Sequence, residues 1–153
     1  MNDFFSKLGE LFSTPEYIDS LLHGFLLTIQ VVSGTSVREV VDVLDGLIPA
    51  LPRNEWIKAM GKTLDTHRWL AYASTLLILF LIWSIRNKFP KDVQLKKFSW
   101  YLLVFVGLQF LSGVILARFA LPPFMQTTHL VLASLLVANQ FYVVLLLNKS
   151  NRY

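Results

Sequence analysis

Two histidines occupy matching positions in the sequence, and their setting indicates the chemistry they can do. Each follows a threonine, as Thr66-His67 and Thr128-His129, and each lies downstream of a Gln-x-x-Ser-Gly motif. Two imidazoles on facing helices suit the two axial positions of a heme iron, and helix bundles commonly hold cofactors in this way. His67 and His129 are therefore the candidate iron ligands. The alternative is a pair of unrelated interfacial histidines, with the two motifs serving helix packing alone.

Three further pairs of residues in the two repeats complete the candidate cofactor site. They are Gly34 and Gly113, Gln30 and Gln109, and Arg38 and Arg118. The glycines would let a flat macrocycle approach the backbone. The glutamines would hydrogen-bond the site or the opposing helix. The arginines stand at outer helix ends, where a guanidinium would pair with a heme propionate; their alternative role is anchoring at the membrane interface.

Four long uncharged stretches supply the helices that must position these residues. The chain of 153 residues is 54% hydrophobic and 16% charged, whereas a typical soluble domain has about 25% charged residues. Each stretch is near the ~20 residues that a spanning helix needs, and the lack of cysteine excludes a disulfide-stapled module. We predict an all-α integral membrane protein with one four-helix domain over residues 17–153. Its helices are expected at about 17–37, 64–86, 97–117 and 125–148.

The repeat also predicts how these helices are arranged. The first and third helices each carry a Gln-x-x-Ser-Gly motif, and the second and fourth each begin near a histidine. The bundle is then built from two parallel hairpins that are related by an axis along the membrane normal. In that arrangement His67 and His129 lie at the same depth and face each other across the bundle core.

Charges in the loops predict the orientation. Basic residues cluster in the 86–97 loop, and Lys149 and Arg152 lie in the C-terminal tail. Because Lys and Arg favour the cytoplasmic side, both termini are expected there, with the heme site toward the outer side of a bacterial plasma membrane. Residues 1–16 are expected to form a cytoplasmic tail or an amphipathic interfacial helix. The basic loop accounts for the net charge of +4, so nucleic acid is not an expected partner.

With these motifs in place, residues 20–147 resemble the heme A synthase family. The resemblance is carried by Leu27-Thr28-Ile29-Gln30 with Gly34 to Glu39, Thr66-His67-Arg68, Leu108-Gln109 with Ser112-Gly113, and Thr128-His129. It implies a family of eight-helix proteins in two four-helix halves, each half with a histidine pair. They oxidise the C8 methyl of heme o to the formyl group of heme a for cytochrome oxidase assembly. This chain resembles a single half.

The half that it resembles most is the C-terminal one, which holds heme b. The family's catalytic half has a glutamate three residues before the histidine, and that position is Leu64 here. Asp65 and Glu39 are then the candidate catalytic carboxylates. The resemblance implies an oxidoreductase acting as a homodimer or with a separate N-terminal half, and the chain is expected to be complete or to be a C-terminal piece. Its further expected partners are the lipid bilayer, heme o synthase and cytochrome oxidase assembly proteins.

Two other functions remain open from the sequence. One is a non-catalytic b-type cytochrome that only transfers electrons, and the missing glutamate favours it for the chain in isolation. The other is an assembly subunit without a cofactor, which the matched histidines disfavour.

Overall fold

The computed structural model describes residues 15–47 and 51–150, and in these residues it is all-helical. Five helices follow one another without a strand: α1 Pro15–Asp45, α2 Arg53–Ala59, α3 Gly61–Lys88, α4 Val93–Arg118 and α5 Pro123–Ser150. The predicted all-α class is confirmed. The predicted N-terminal tail or interfacial helix lies outside the described residues except for its last two positions, and Arg152 lies outside them as well.

The helix ends differ from the predicted ones mainly at the first helix. α1 continues to Asp45 instead of ending near Val37, because charge ends an apolar stretch but not a helix. Arg38 and Asp42 are one turn apart and form an ion pair at 2.8 Å, a spacing that supports helix. The segment between the first two predicted helices thus contains the end of α1 and the short helix α2.

Local sequence explains where two of the other helices start. At α4 the carboxylate of Asp92 accepts a hydrogen bond from the backbone N–H of Leu95 at 3.0 Å, which satisfies a donor that the first helical turn leaves unpaired. α5 begins at Pro123, a residue suited to a first turn because its missing N–H is not needed there. The turn before it uses left-handed φ angles of 53° at Ala120 and 57° at Leu121.

Three of the helices, α3, α4 and α5, are long and apolar enough to cross a membrane, judged by length and composition over the described residues. α1 is long enough but does not meet the same standard of apolarity. Its sequence includes His23, Gln30 and Ser33 within the uncharged part and four charged residues after it.

The four long helices pack around one another in a closed order. α1 contacts α3 and α5, and α4 also contacts α3 and α5, while α2 packs against α3. Each helix that carries a candidate histidine therefore lies against both helices that carry a Gln-x-x-Ser-Gly motif. This order brings both histidines and both Gln-x-x-Ser-Gly motifs toward one interior.

Two separate apolar clusters fill that interior. The main cluster comprises Leu27, Ile78, Leu81, Ile82, Ile85, Leu95, Leu102, Val106, Leu136, Val143, Leu146 and Leu147. The cap cluster comprises Val41, Leu44, Trp56, Met60, Leu64 and Leu121. The cap cluster closes the bundle at the end where α1 finishes and α3 begins, with α2 contributing Trp56.

Candidate functional site

A band of polar side chains separates the main cluster from the cap cluster. On α3, His67 lies between Leu64 of the cap cluster and Ile78 of the main cluster. On α5, His129 precedes Leu136 of the main cluster and follows Leu121 of the cap cluster. The two histidines therefore occupy the same level of the bundle.

The motif helices contribute to this same level. Gln30 and Gly34 stand between Leu27 and Val41 on α1, and Gln109, Ser112 and Gly113 stand between Val106 and Leu121 on α4. We call the polar layer the set made of His67, His129, Gln30, Gln109, Ser112, Gly34 and Gly113.

His67 is held by the amide of Gln30. The Gln30 Nε2 atom lies 3.3 Å from His67 Nδ1 and 3.4 Å from His67 Nε2. The same nitrogen donates to the backbone carbonyl of His67 at 3.2 Å. One amide thus spans both ring nitrogens at the long end of hydrogen-bond distance, and neither ring nitrogen has a short, single partner.

His129 has a tighter set of contacts. The Gln109 Nε2 atom lies 3.1 Å from His129 Nε2, and the Ser112 Oγ atom lies 2.7 Å from His129 Nδ1. Ser112 in turn donates its hydroxyl hydrogen to the backbone carbonyl of Gln109 at 2.9 Å. Each ring nitrogen of His129 therefore has its own partner, and both partners come from α4.

The two motif glycines make room for the two imidazoles. A Cβ atom placed at Gly34 would lie 3.4 Å from Cε1 of His67, and one at Gly113 would lie 3.4 Å from Cε1 of His129. A methyl group there would just touch the ring, so a larger side chain would have to displace it. The expected role of the glycines was to admit a macrocycle; the contact that the structure shows is with the histidine of the same hairpin.

The polar layer keeps hydrogen-bonding capacity that the protein does not use. The Oε1 atoms of Gln30 and Gln109 are buried and have no hydrogen-bond partner among the described residues. An unpaired buried acceptor costs about 1–3 kcal/mol, so such atoms commonly mark a place for water or a ligand. Both imidazoles are only half-buried.

The two candidate arginines are not equivalent. Arg38 pairs with Asp42 and donates to Oε1 of Gln126, which lies one helical turn before His129. Arg118 is exposed and makes no ion pair or hydrogen bond within the described part of the chain. Arg38 follows its glycine by four residues and Arg118 by five. On a helix this difference turns the side chain by about 100°.

The candidate catalytic carboxylates stand apart from the polar layer. Asp65 is exposed and lies 3.6 Å from the guanidinium of Arg68, and Glu39 is exposed as well. Leu64 is buried in the cap cluster. No group of three or more His, Cys, Asp or Glu side chains that could hold a metal ion occurs among the described residues.

This set of residues fits a heme better than a bare metal ion. A structural zinc site takes four protein ligands, whereas a heme iron needs only axial ligands because the macrocycle supplies the others. The polar layer offers two imidazoles at one level, glycines beside both rings and amide groups facing them. The third described histidine, His23, has a structural role: its Nε2 donates to the carbonyl of Leu77 at 2.5 Å.

The sequence analysis missed the role of one residue of the polar layer, Ser112. Ser112 appears in the motif only as a small packing residue, yet it is buried and contacts His129 directly. Its spacing from Gln109 was the available signal, because a serine hydroxyl can bond the carbonyl three residues earlier in a helix.

Comparisons with known proteins identify one family. The family model for cytochrome oxidase assembly proteins, COX15-CtaA, matches residues 18–141. That range contains both Gln-x-x-Ser-Gly motifs and both histidines of the polar layer. A search of curated proteins and a search of solved structures each found no match.

Proposed function

The chain belongs to the family of cytochrome oxidase assembly proteins, and from that premise we propose that it is a heme-binding membrane protein of heme A formation. His67 and His129 are the axial ligands of a heme b. The chain takes part in the oxidation of heme o to heme a, as one four-helix half of the machinery.

The observation that carries this proposal is the matched setting of the two histidines. Each imidazole receives a glutamine amide from the motif helix of its own hairpin. Each also lies 3.4 Å from the position that a Cβ on the motif glycine would take. A histidine that only stabilises a helix end needs no such repeated environment, whereas metal-ligating histidines are usually oriented by neighbouring hydrogen-bonding groups.

The protein's own residues have three tasks in this function. The histidines would ligate the iron, the glutamine amides hold the imidazoles in place before heme binds, and Arg38 with Gln126 offers donors for a heme carboxylate beside His129. The two apolar clusters keep water from the layer on both sides. When bound, the heme supplies the electron-transfer chemistry, and the protein tunes it by ligation and burial.

One feature favours the narrower role of an electron carrier for the chain in isolation. Leu64 stands in the cap cluster at the position of the family's glutamate, and Asp65 faces Arg68 at the surface. No described carboxylate therefore reaches the histidines. The half with the substrate heme would come from a second copy or from a separate N-terminal half.

We further propose that α1 is the fourth spanning helix and that the bundle consists of two parallel hairpins. Gln30 of α1 reaches His67 in the polar layer, while the outward face of α1 carries apolar side chains. Leu22, Phe25 and Val32 are 57%, 67% and 60% exposed, and such a face is stable against lipid. The basic loop after α3 then lies in the cytoplasm, and the polar layer lies toward the outer side.

A reduced-minus-oxidised optical spectrum of the detergent-purified chain tests the function. We expect a sharp low-spin b-type spectrum, with heme b released in the pyridine hemochromogen assay. His67→Ala and His129→Ala should each abolish that spectrum or convert it to high spin. His23→Gln is the matched control, because His23 is bonded to Leu77 away from the polar layer, and it should leave the spectrum unchanged.

The outcomes separate the candidate functions. A chain that stays colourless after heme addition would contradict every heme-based function. If the chain binds heme b but does not convert added heme o, even together with an N-terminal half, the electron-carrier function is the one supported. An unchanged spectrum in either alanine variant would show that the replaced histidine is not an axial ligand.

A further inference from the structure

The two halves of the polar layer share a sequence motif but differ in one hydrogen bond. Ser112 Oγ lies 2.7 Å from His129 Nδ1. The equivalent residue of the first repeat is Ser33, and it makes no hydrogen bond with any described residue. The motif Gln-x-x-Ser-Gly thus leads to two different settings for the two histidines.

The direction of the hydrogen bonds around His129 follows from the donors available. The hydroxyl hydrogen of Ser112 goes to the backbone carbonyl of Gln109 at 2.9 Å. The serine oxygen can then only accept from the ring, so Nδ1 of His129 carries the hydrogen. The Gln109 amide donates toward Nε2 at 3.1 Å, which requires a lone pair on Nε2. Both contacts therefore favour the same tautomer.

Nothing comparable fixes the ring of His67. Its two nitrogens face the same amide nitrogen of Gln30, at 3.3 and 3.4 Å. An amide N–H can donate to whichever ring nitrogen carries the lone pair, so this contact is compatible with either tautomer of His67. The ring of His67 can adjust, while that of His129 is held.

We propose that Ser112 is a positioning residue that locks His129 in the Nδ1–H tautomer, so that Nε2 keeps the lone pair with which it would bind the heme iron in place of the Gln109 amide. His129 is the preorganised axial ligand and His67 the adaptable one. The inference rests on the proposed heme site, but its first part concerns the protein without heme. A hydrogen bond from Nδ1–H also makes the imidazole more basic and fixes the plane of the ring.

The first test needs no heme. Two-bond nitrogen–hydrogen NMR spectra of the full-length, ¹⁵N-histidine-labelled protein in micelles distinguish the two neutral tautomers. We expect the His129 signals, assigned with His129→Ala, to show a single Nδ1–H tautomer in the unsubstituted chain. In Ser112→Ala they should show a mixture or the other tautomer. Ser112→Thr keeps the hydroxyl and should restore the Nδ1–H form.

The second test uses heme b. Loss of a residue that hydrogen-bonds a metal-ligating histidine typically lowers metal affinity about 10- to 100-fold. Ser112→Ala should therefore raise the dissociation constant for heme by that factor. The midpoint potential of the heme bound to this variant should rise, because a less basic imidazole stabilises the ferric iron less. Ser33→Ala, the matched control from the first repeat, should change neither value.

These experiments distinguish failure of the inference from failure of the proposed function. If the protein binds heme through both histidines but Ser112→Ala behaves like Ser33→Ala, the positioning role is wrong and the heme site stands. An Nε2–H tautomer at His129 in the unsubstituted chain overturns the inference regardless of heme. A protein that never binds heme refutes the function, and with it the ligand role of His129.

Discussion

In the polar layer, the two motif glycines lie directly beside the histidine rings. Gly34 and Gly113 lie so close to the imidazoles that an added Cβ would reach van der Waals contact with the ring, 3.4 Å from Cε1. A glycine in a helix costs about 1 kcal/mol relative to alanine.

The first prediction concerns Gly113. Gly113→Leu should displace the His129 ring and greatly reduce the bound heme, because the new side chain occupies the space at Cε1. Gly113→Ala should have a mild effect, since its methyl only touches the ring. The measurement is heme per chain by the pyridine hemochromogen assay.

Gly107 provides the control on the same helix. It is exposed, and a Cβ there would meet nothing within 4 Å, so Gly107→Leu should leave heme content unchanged. Equal losses in Gly107→Leu and Gly113→Leu would attribute the effect to the helix and not to the space beside His129.

The short helix α2 illustrates what an element outside the repeat contributes. It brings Trp56 into the cap cluster, where the side chain is 3% exposed and its indole N–H donates to the carbonyl of Leu51 at 2.9 Å. The cap cluster covers the polar layer from the end opposite the main cluster. Its packing therefore limits access of water to the two histidines from that end.

The second prediction follows from this packing. Trp56→Ala should lower the free energy of unfolding by about 3–5 kcal/mol, the usual range for a buried aromatic, measured by SDS-induced unfolding in mixed micelles. Trp69 is 73% exposed, so Trp69→Ala should cost little. If the two variants unfold alike, the cap cluster contributes no stability of its own.

The third prediction concerns α1 as a membrane helix. The chain has no cysteine, so single cysteines can be labelled without a background. Phe25→Cys should resist a membrane-impermeant maleimide in whole cells and in lysed cells, because lipid covers it. Lys62→Cys should react from outside, and Lys91→Cys only after lysis.

Reactivity of Phe25→Cys in intact cells would contradict the spanning role of α1. Labelling of Lys91→Cys from outside would reverse the orientation while leaving the number of spans unchanged. The two results thus test separate parts of the topology.

At the scale of the whole molecule, helix order determines that both histidines serve one site. α1 and α4 each contact both α3 and α5, so the bundle closes around a single interior. The two histidine helices therefore present their rings to the same layer. Under the proposed function, one heme would therefore lie between the two histidine helices of a single chain.

The fourth prediction is the heme stoichiometry. At saturation the protein should bind one heme b per chain, measured by hemochromogen absorbance against quantitative amino-acid analysis. His67→Ala mixed with His129→Ala should not restore the bis-histidine spectrum, because each chain uses its own pair. One heme per two chains, or restoration in the mixture, would place the ligand pair across a dimer.

Much of the fold and part of the candidate site could be predicted from the sequence. The apolar stretches fix helices, because a buried or lipid-covered backbone must satisfy its own hydrogen bonds. The repeated motif placed the glutamines and glycines on the helices beside the histidines. The bis-histidine heme ligation that this suggests stays a prediction until a spectrum is measured.

Other features required the tertiary structure, because they depend on how the helices are rotated and how deep they lie against each other. α1 runs on to Asp45, and α2 adds Trp56 to the cap cluster from a segment with no apolar stretch. Arg38 reaches Gln126 while Arg118 meets no described partner. Ser112 contacts His129 while Ser33, in the same motif, contacts no histidine. The sequence by itself determined which residues share a level of the bundle, since helical rise is fixed; packing between helices decided which of them touch.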